Sequence, residues 1–267
     1  MRKRPGPDRI ASILRDIQAD LHCEPAHALA RRLAKLGTSP NIPEGLVGEL
    51  AAWDGRLDAA SRPGAVARVA LEVLLSRATD TRARPSSPVP SGVEAALANL
   101  VPETIARLDD LPERVLRSAL GEATGILAEA CGPDPARWSW GALHRAELRH
   151  PLGVVAGLRG LLNRGPYPAG GDANTVRLAS FGSGEEGGPR FGPVTTAPNY
   201  RFVVDAGDWD RAWSIVSPGQ SGHPASESYD DQVDLWLRVR YRPMVFGRRA
   251  AELAARHRLV LKPGVSV

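Results

Sequence analysis

The chain has 267 residues, 43% of them apolar, which is enough to bury a substantial core and allows one large domain or two small ones. Its formal charge of +4 comes from arginines spread along the chain rather than from a Lys/Arg block, so no phosphate-binding stripe is evident and nucleic-acid binding is not indicated. Cys23 and Cys131 stand in different segments without CxxC or Cys/His spacing, which argues against a zinc site or a disulfide scaffold and leaves two buried thiols as the expectation.

In chain order, the basic start MRKRPGPDRI leads into a charged helix rather than an apolar signal-peptide core, and no run resembles a transmembrane span. Taken literally, that start keeps the product in the cytoplasm. From Asp8 the spacing of Ile10, Ile13, Leu14, Ile17 and Leu21 predicts a helix with one apolar stripe and Asp8 as its cap. Pro25 fits the first turn of a second helix, with Ala28, Leu29, Leu33 and Leu36 inward and Gly37 as its stop. Pro43 to Trp53 reads as a third, closed by the turn signal Trp53-Asp54-Gly55, and Pro63 to Ser76 as a fourth. The Pro-rich stretch Thr79 to Ser91 is a connection, after which helical periodicity resumes over Val93 to Leu108 and Pro112 to Ala130.

Beyond Asp134 the character changes. Arg137 to His150 alternates without a helical stripe and is read as a strand; Thr175 to Ala179 is a second short strand candidate, placed between the Gly/Pro-rich Gly165 to Gly171 and a loop at Gly182 to Gly192. Arg201 to Val204 and Ala212 to Val216 form a predicted hairpin turning at Gly207-Asp208, followed by the polar loop Ser217 to Ser228 and a short amphipathic helix. A final helix over Arg248 to His257 and a β segment at Leu259 to Leu261 complete the pattern. Helices followed by antiparallel strands make an α+β chain, expected as one partial domain with a mainly helical part over 1–132 and a strand-rich part with a final helix over 133–267.

Several residue groups invite a chemical reading, and each has a plainer one. Ser221, His223 and Asp230 or Asp231 assemble a nucleophile, base and acid on paper, but a Ser and a His two apart do not readily reach that geometry, and Gly219-Gln220-Ser221-Gly222 is not a nucleophile elbow. His22 and His27 lie five apart with Pro25 between, which spoils a shared helical face for a metal. His144 and His150 share a strand face but are too far apart at about 3.3 Å per residue. Gly170-Gly171-Asp172 reads as an anion nest, a carboxylate placed for metal, or a turn entering a strand. Asp205, Asp208 and Asp210 lack the downstream Glu of a calcium loop.

Taken together, Gln18-Ala19-Asp20, Ala30-Arg31-Arg32-Leu33, Trp53-Asp54-Gly55, Trp138-Ser139-Trp140-Gly141-Ala142-Leu143-His144-Arg145 and His150-Pro151-Leu152 are followed by Gly170-Gly171-Asp172, Thr175-Val176, YRFVVD, GQSGHPAS, YDDQ, LW, YRP and ARHRLVLKP. In this order they resemble the C-terminal portion of the penicillin acylase (penicillin amidase) family of N-terminal-nucleophile hydrolases. The resemblance implies part of a four-layer αββα fold and an amidohydrolase cut from a precursor to expose a catalytic serine. That serine's own α-amino group acts as base, while a backbone N–H and an upstream Asn hold the oxyanion. Related members hydrolyse penicillins, cephalosporin side chains or acyl-homoserine lactones, and are commonly exported. The chain opens Met1-Arg2-Lys3, and the family segments bearing the serine, the oxyanion Asn and the calcium ligands fall before the point matching Asp8. No catalytic, cofactor-binding or metal residue therefore transfers. The expectation is an enzyme portion inactive alone, with unpaired edges or apolar surface where an N-terminal complementing chain or segment packs; the alternative is a non-catalytic scaffold remnant or helical binding module. Arg177 and the loop Gly182 to Gly192 fall near the family's substrate cleft, with sheet and loop packing as their plainer role.

Overall fold

The computed structural model describes residues 7–37, 42–80, 108, 110–181, 193–262 and 264. Two compact units emerge, one of residues 17–198 and one in which residues 1–16 join residues 199–267. The expectations for Val93 to Leu108 before its last residue, for the Pro-rich stretch beyond Asp80 and for the Gly182 to Gly192 loop lie outside the described residues.

The larger unit is built on helices whose ends are written into the sequence. Helix α2 (Glu24–Leu33) has Pro25 in its first turn, where the missing N–H costs no hydrogen bond, Glu24 at its positive end and Arg31 and Arg32 at its negative end. Helix α3 (Leu46–Ala52) is shorter than the Pro43 start suggested, and α4 (Arg62–Asp80) is longer at both ends than the stretch from Pro63 to Ser76. The Ser61 hydroxyl accepts the Gly64 N–H at 3.0 Å and caps α4. Helix α5 (Glu113–Cys131) follows Pro112 and stops at Gly132, whose φ of 93° an L-residue rarely adopts. Leu29 and Leu33 of α2, Leu50 of α3, Val69 of α4 and Leu120 of α5 are fully buried in one shared core. At about 1.5–3 kcal/mol for each large apolar side chain removed from water, this cluster is the main source of stability in the unit.

Arg137 to His150 is not one strand. A turn at Pro135–Arg137 leads to the short helix α6 (Trp140–Leu143), and only β1 (Arg145–Leu148) is extended. The backbone N–H groups of Trp140 and Gly141 donate to the carbonyls of Ser61 (3.1 Å) and Ala59 (2.7 Å), and the buried Trp140 indole donates to Gly171 O at 2.8 Å. With those groups committed to tertiary partners, no ladder forms until Arg145. Strand β1 pairs antiparallel with β2 (Arg164–Pro168), a strand inside what the Gly/Pro content presented as loop. Thr175 to Ala179 is also not a strand: the Thr175 hydroxyl accepts the Asp172 N–H at 3.1 Å and donates to the Arg177 carbonyl at 2.8 Å, and such local bonds compete with a sheet. Strand β3 (Ser180–Phe181) starts later and pairs with β4 (Val194–Thr196).

In the second unit the hairpin appears as expected, with β5 (Tyr200–Asp205) and β6 (Asp208–Val216) in a register that sets Arg201 opposite Ile215 and Val203 opposite Trp213. The turn falls at Ala206-Gly207, where Asp205 Oδ1 accepts the Gly207 N–H at 2.9 Å. Strand β7 (Arg242–Met244) lies on the other side of β6, giving the order β5-β6-β7. Buried Arg201 donates to Trp236 O at 3.0 Å and stacks on its ring from helix α8 (Val233–Leu237). Helix α9 (Arg248–Ala254) is shorter than the stretch to His257, and Leu259 to Leu261 is not a strand; Leu259 and Leu261 are more than four-fifths exposed. Helix α1 (Pro7–Gln18) buries Ala11 but leaves Ile13, Leu14 and Ile17 of its predicted apolar stripe exposed.

One pair of charges ties the larger unit together. Arg68 sits mid-way along α4 among fully buried Ala65, Val66, Ala67, Val69 and Ala70, is 1% exposed, and donates from Nε to Asp172 Oδ2 at 2.7 Å; Asp172 is 0% exposed. A second donor, NH1, reaches Glu72 at 3.1 Å one turn along the helix. Removing one partner leaves a buried charge without its counterion, so Arg68→Met or Asp172→Leu alone is expected to cost about 3–5 kcal/mol in chemical unfolding. The double variant Arg68→Met/Asp172→Leu is expected to recover much of that loss; a double variant as unstable as the sum of the singles contradicts the pairing.

Candidate functional site

Several polar groups are buried together around Asp172. Its Oδ2 takes the Arg68 Nε–H and, at 3.5 Å, the Cys23 thiol; its Oδ1 takes the Asn174 backbone N–H at 2.7 Å. The preceding Gly171 has φ of 85°, and a Cβ there would collide with the Arg177 carbonyl and the Thr175 hydroxyl, so the turn that delivers Asp172 requires glycine. His144 stacks on Trp140 at 4.7 Å and meets the edge of Phe181 at 5.6 Å, while the Arg68 guanidinium lies 4.9 Å over the same Phe181 ring.

Electrostatics decide what this cluster does chemically. Burial, then the adjacent Asp172 charge, push the Cys23 thiol far above its usual range, so it is a neutral hydrogen-bond donor and not a thiolate nucleophile. Burial pushes His144 down to about 4, which leaves the imidazole neutral at physiological pH. Burial also works against the charge on Arg68, but the carboxylates of Asp172 and Glu72 hold its pKa above the ordinary value. A neutral thiol, a neutral imidazole and a paired carboxylate are all shut away from solvent around the turn at Asp172.

The groups singled out from the sequence are placed as follows. Ser221 Oγ accepts the His223 backbone N–H at 3.1 Å, His223 Nδ1 accepts the Ala225 N–H at 3.2 Å, and Asp231 pairs with Arg242 at 2.9 Å, so these side chains shape a loop and do not form a triad. Asp205 and Asp208 each accept a local backbone N–H. Asp210 accepts those of Gly247 (2.6 Å) and Phe246 (2.8 Å), which hold its carboxyl below the usual range. His144 and His150 do not share a strand face: one closes α6 and the other caps the turn at Pro151–Val154, accepting the Leu152 N–H at 3.1 Å. The Arg177 backbone is held by Asp20 O, in keeping with a packing role. Of the two thiols, Cys23 is buried and Cys131 only half-buried. His22 and His27 are brought together after all, with ring centroids 5.2 Å apart. They need no common helical face, because His22 lies ahead of α2 in a bridge with Arg56 and folds back over the first turn.

The importance of Asp172 was missed from sequence as a role, although its position was noted. The available signal was Arg68, a lone cation inside the otherwise apolar run Ala65 to Leu71, which demands a buried counterion.

The His144 pKa is depressed in the folded state, so below about 6.5 the unfolded chain takes up a proton that the folded chain refuses. Stability from this group is complete above pH 6.5 and is lost as pH falls towards 4, with a slope approaching about 1.4 kcal/mol per pH unit. His144→Phe is expected to flatten the pH dependence of the urea midpoint across that window; an unchanged slope contradicts the assignment.

Known proteins resemble the chain along most of its length. A sequence model of the family described as penicillin amidase matches residues 10–252. Penicillin acylase 2 proenzyme of Pseudomonas sp. (strain SE83) is 35% identical over 264 residues, which covers 91% of this chain and 32% of that protein. Acyl-homoserine lactone acylase QuiP of Pseudomonas aeruginosa is 35% identical over 145 residues, covering 50% of this chain and 16% of that protein. Among solved structures, the thermostable penicillin G acylase from Alcaligenes faecalis aligns over 98% of this chain and 50% of that one, at 17% identity and a TM-score of 0.46. The chain thus spans about a third or less of the length of these curated relatives. With nine-tenths of its length matched by the family model and by a relative at 35% identity, the chain belongs to the penicillin amidase family.

Proposed function

We propose that the chain supplies the C-terminal portion of an amidohydrolase that cleaves N-acyl amide bonds, of the kind carried by β-lactam side chains or acyl-homoserine lactones. In this reading it is scaffold and not reaction centre, and the nucleophile and oxyanion groups belong to an N-terminal complementing chain or segment. The single observation that carries the reading is the match along nearly the whole chain to about a third of penicillin acylase 2 proenzyme.

Two features of the molecule support it. The Ser221 and His223 side chains are committed to backbone groups of their loop, and the buried Cys23 thiol is held neutral. Large apolar side chains also stand exposed in runs: Leu152, Val154, Val155, Leu158 and Leu161 around helix α7 (Arg159–Leu162), and Ile13, Leu14 and Ile17 on α1. Runs of that kind mark a surface that another chain or segment covers. In this reading the unit over 17–198 and the hairpin unit both belong to one partial N-terminal-nucleophile hydrolase domain.

The test is hydrolysis of a chromogenic N-acyl anilide and of an N-acyl-homoserine lactone by the purified 267-residue chain, alone and co-expressed with whatever coding sequence lies upstream. The chain alone is expected to give no turnover above buffer, and co-expression to give turnover that a nucleophile variant of the upstream segment abolishes. Turnover by the chain alone, or an upstream region that encodes no such segment, contradicts the proposal.

A further inference from the structure

The histidine pair that the fold brings together sits beside a third ligand-bearing side chain. Glu24 is the first residue of α2 and His27 lies three further on, so both project from one face of its first turn. His22 lies in the extended bridge just before the helix and folds over that face, its Nε2 2.9 Å from Glu24 Oε2. Ligand atoms of His22, Glu24 and His27 all lie within 4.8 Å of one another. Tetrahedral coordination with bonds of about 2.0–2.1 Å sets ligand atoms roughly 3.4 Å apart, so small side-chain rotations close the set around one ion.

The surroundings of the cluster orient it. His22 Nδ1 lies 3.1 Å from the Asp54 carbonyl, which can only accept, so Nδ1 donates to it; Nε2 faces Glu24 Oε2 at 2.9 Å, where a metal ion would take the place of the bridging proton. A ring N–H held by a backbone carbonyl is the arrangement that fixes a metal-ligating histidine in tautomer and orientation. The Gly55 backbone passes directly over both rings: its φ is 85°, and a Cβ there would strike His22 and stand 2.9 Å from His27 Cγ. The Trp53 ring stands edge-on to His27 at 5.9 Å and closes the remaining side. Arg31 reaches the other Glu24 oxygen, Oε1, at 3.4 Å, which leaves Oε2 facing the histidines. Glu24 and His22 are about half and a third exposed, which leaves room for water on the open side of an ion.

We propose that His22, Glu24 and His27 form a binding site for one borderline divalent transition-metal ion, of the zinc, cobalt or nickel class. Two imidazoles and one carboxylate select this class over calcium or magnesium, which take oxygen ligands. Water completes the coordination. The ion clips the extended segment at His22 to the first turn of α2, a structural role independent of any amide hydrolysis.

The metal alone is the probe. Titrating the full chain with Co2+, followed by its visible absorption and reversed by Zn2+, is expected to show one saturable equivalent, and Zn2+ is expected to raise the melting temperature. His27→Ala and the exposed variant Glu24→Gln are each expected to weaken Co2+ binding at least about tenfold, while circular dichroism stays unchanged. A His22→Ala/His27→Ala variant is expected to lose both the absorption and the Zn2+-dependent melting shift. Absence of a saturable equivalent in the unaltered chain overturns the proposal, and so does full retention of binding in Glu24→Gln and in the double variant, which would place the metal on other histidines.

Discussion

The Arg68–Asp172 pair is the constraint on which the larger unit depends. A charge in the middle of a buried helix is tolerated only with a counterion at close range, and the counterion comes from a residue 104 positions away in sequence. To deliver that carboxylate, the chain after β2 turns through Gly171, whose carbonyl takes the indole N–H of Trp140 and whose own N–H bonds the Leu57 carbonyl. The ion pair thus links α4, the segment ahead of it, α6 and the 171–177 turn. Around it the apolar helix core supplies most of the free energy, and the pair supplies the register in which the pieces meet.

The same arrangement desolvates the cluster's titratable groups. Cys23 and His144 have the residue types of a nucleophile and a base, but both are held in their neutral forms by burial, and both are out of reach of solvent. The surface set at His22, Glu24 and His27 is the opposite case, since its side chains are partly exposed and their ligand atoms lie within 4.8 Å of one another.

How much of this was legible beforehand follows from the range of the interactions involved. Helices α2 and α5 were readable because their stops and starts, Pro25, Pro112 and Gly132, act locally. The β5–β6 hairpin was readable because its alternation and its turn lie within one short stretch. Arg137 to His150 misled because the backbone of Trp140 and Gly141 is claimed by Ser61 and Ala59, far away in sequence. Strand β2 was hidden by its own Gly and Pro residues, which are tolerated in a short two-stranded sheet. The His22–His27 approach was hidden because it depends on a bridge to Arg56, not on helical periodicity. Family membership was legible from the order of many weak motifs, none of them sufficient by itself.

The central claim is that the buried ion pair and its turn form the last part of the larger unit to open. Native-state hydrogen exchange measures this directly. The amides of Ala179, bonded to the Asp172 carbonyl at 3.1 Å, of Asn174, bonded to its carboxylate, and of the middle of α4 are predicted to exchange only through global unfolding. Their opening free energies would then equal one another and the unfolding free energy from denaturant. Exchange of the Asn174 and Ala179 amides through a low-energy local opening, while α4 stays protected, would contradict the account.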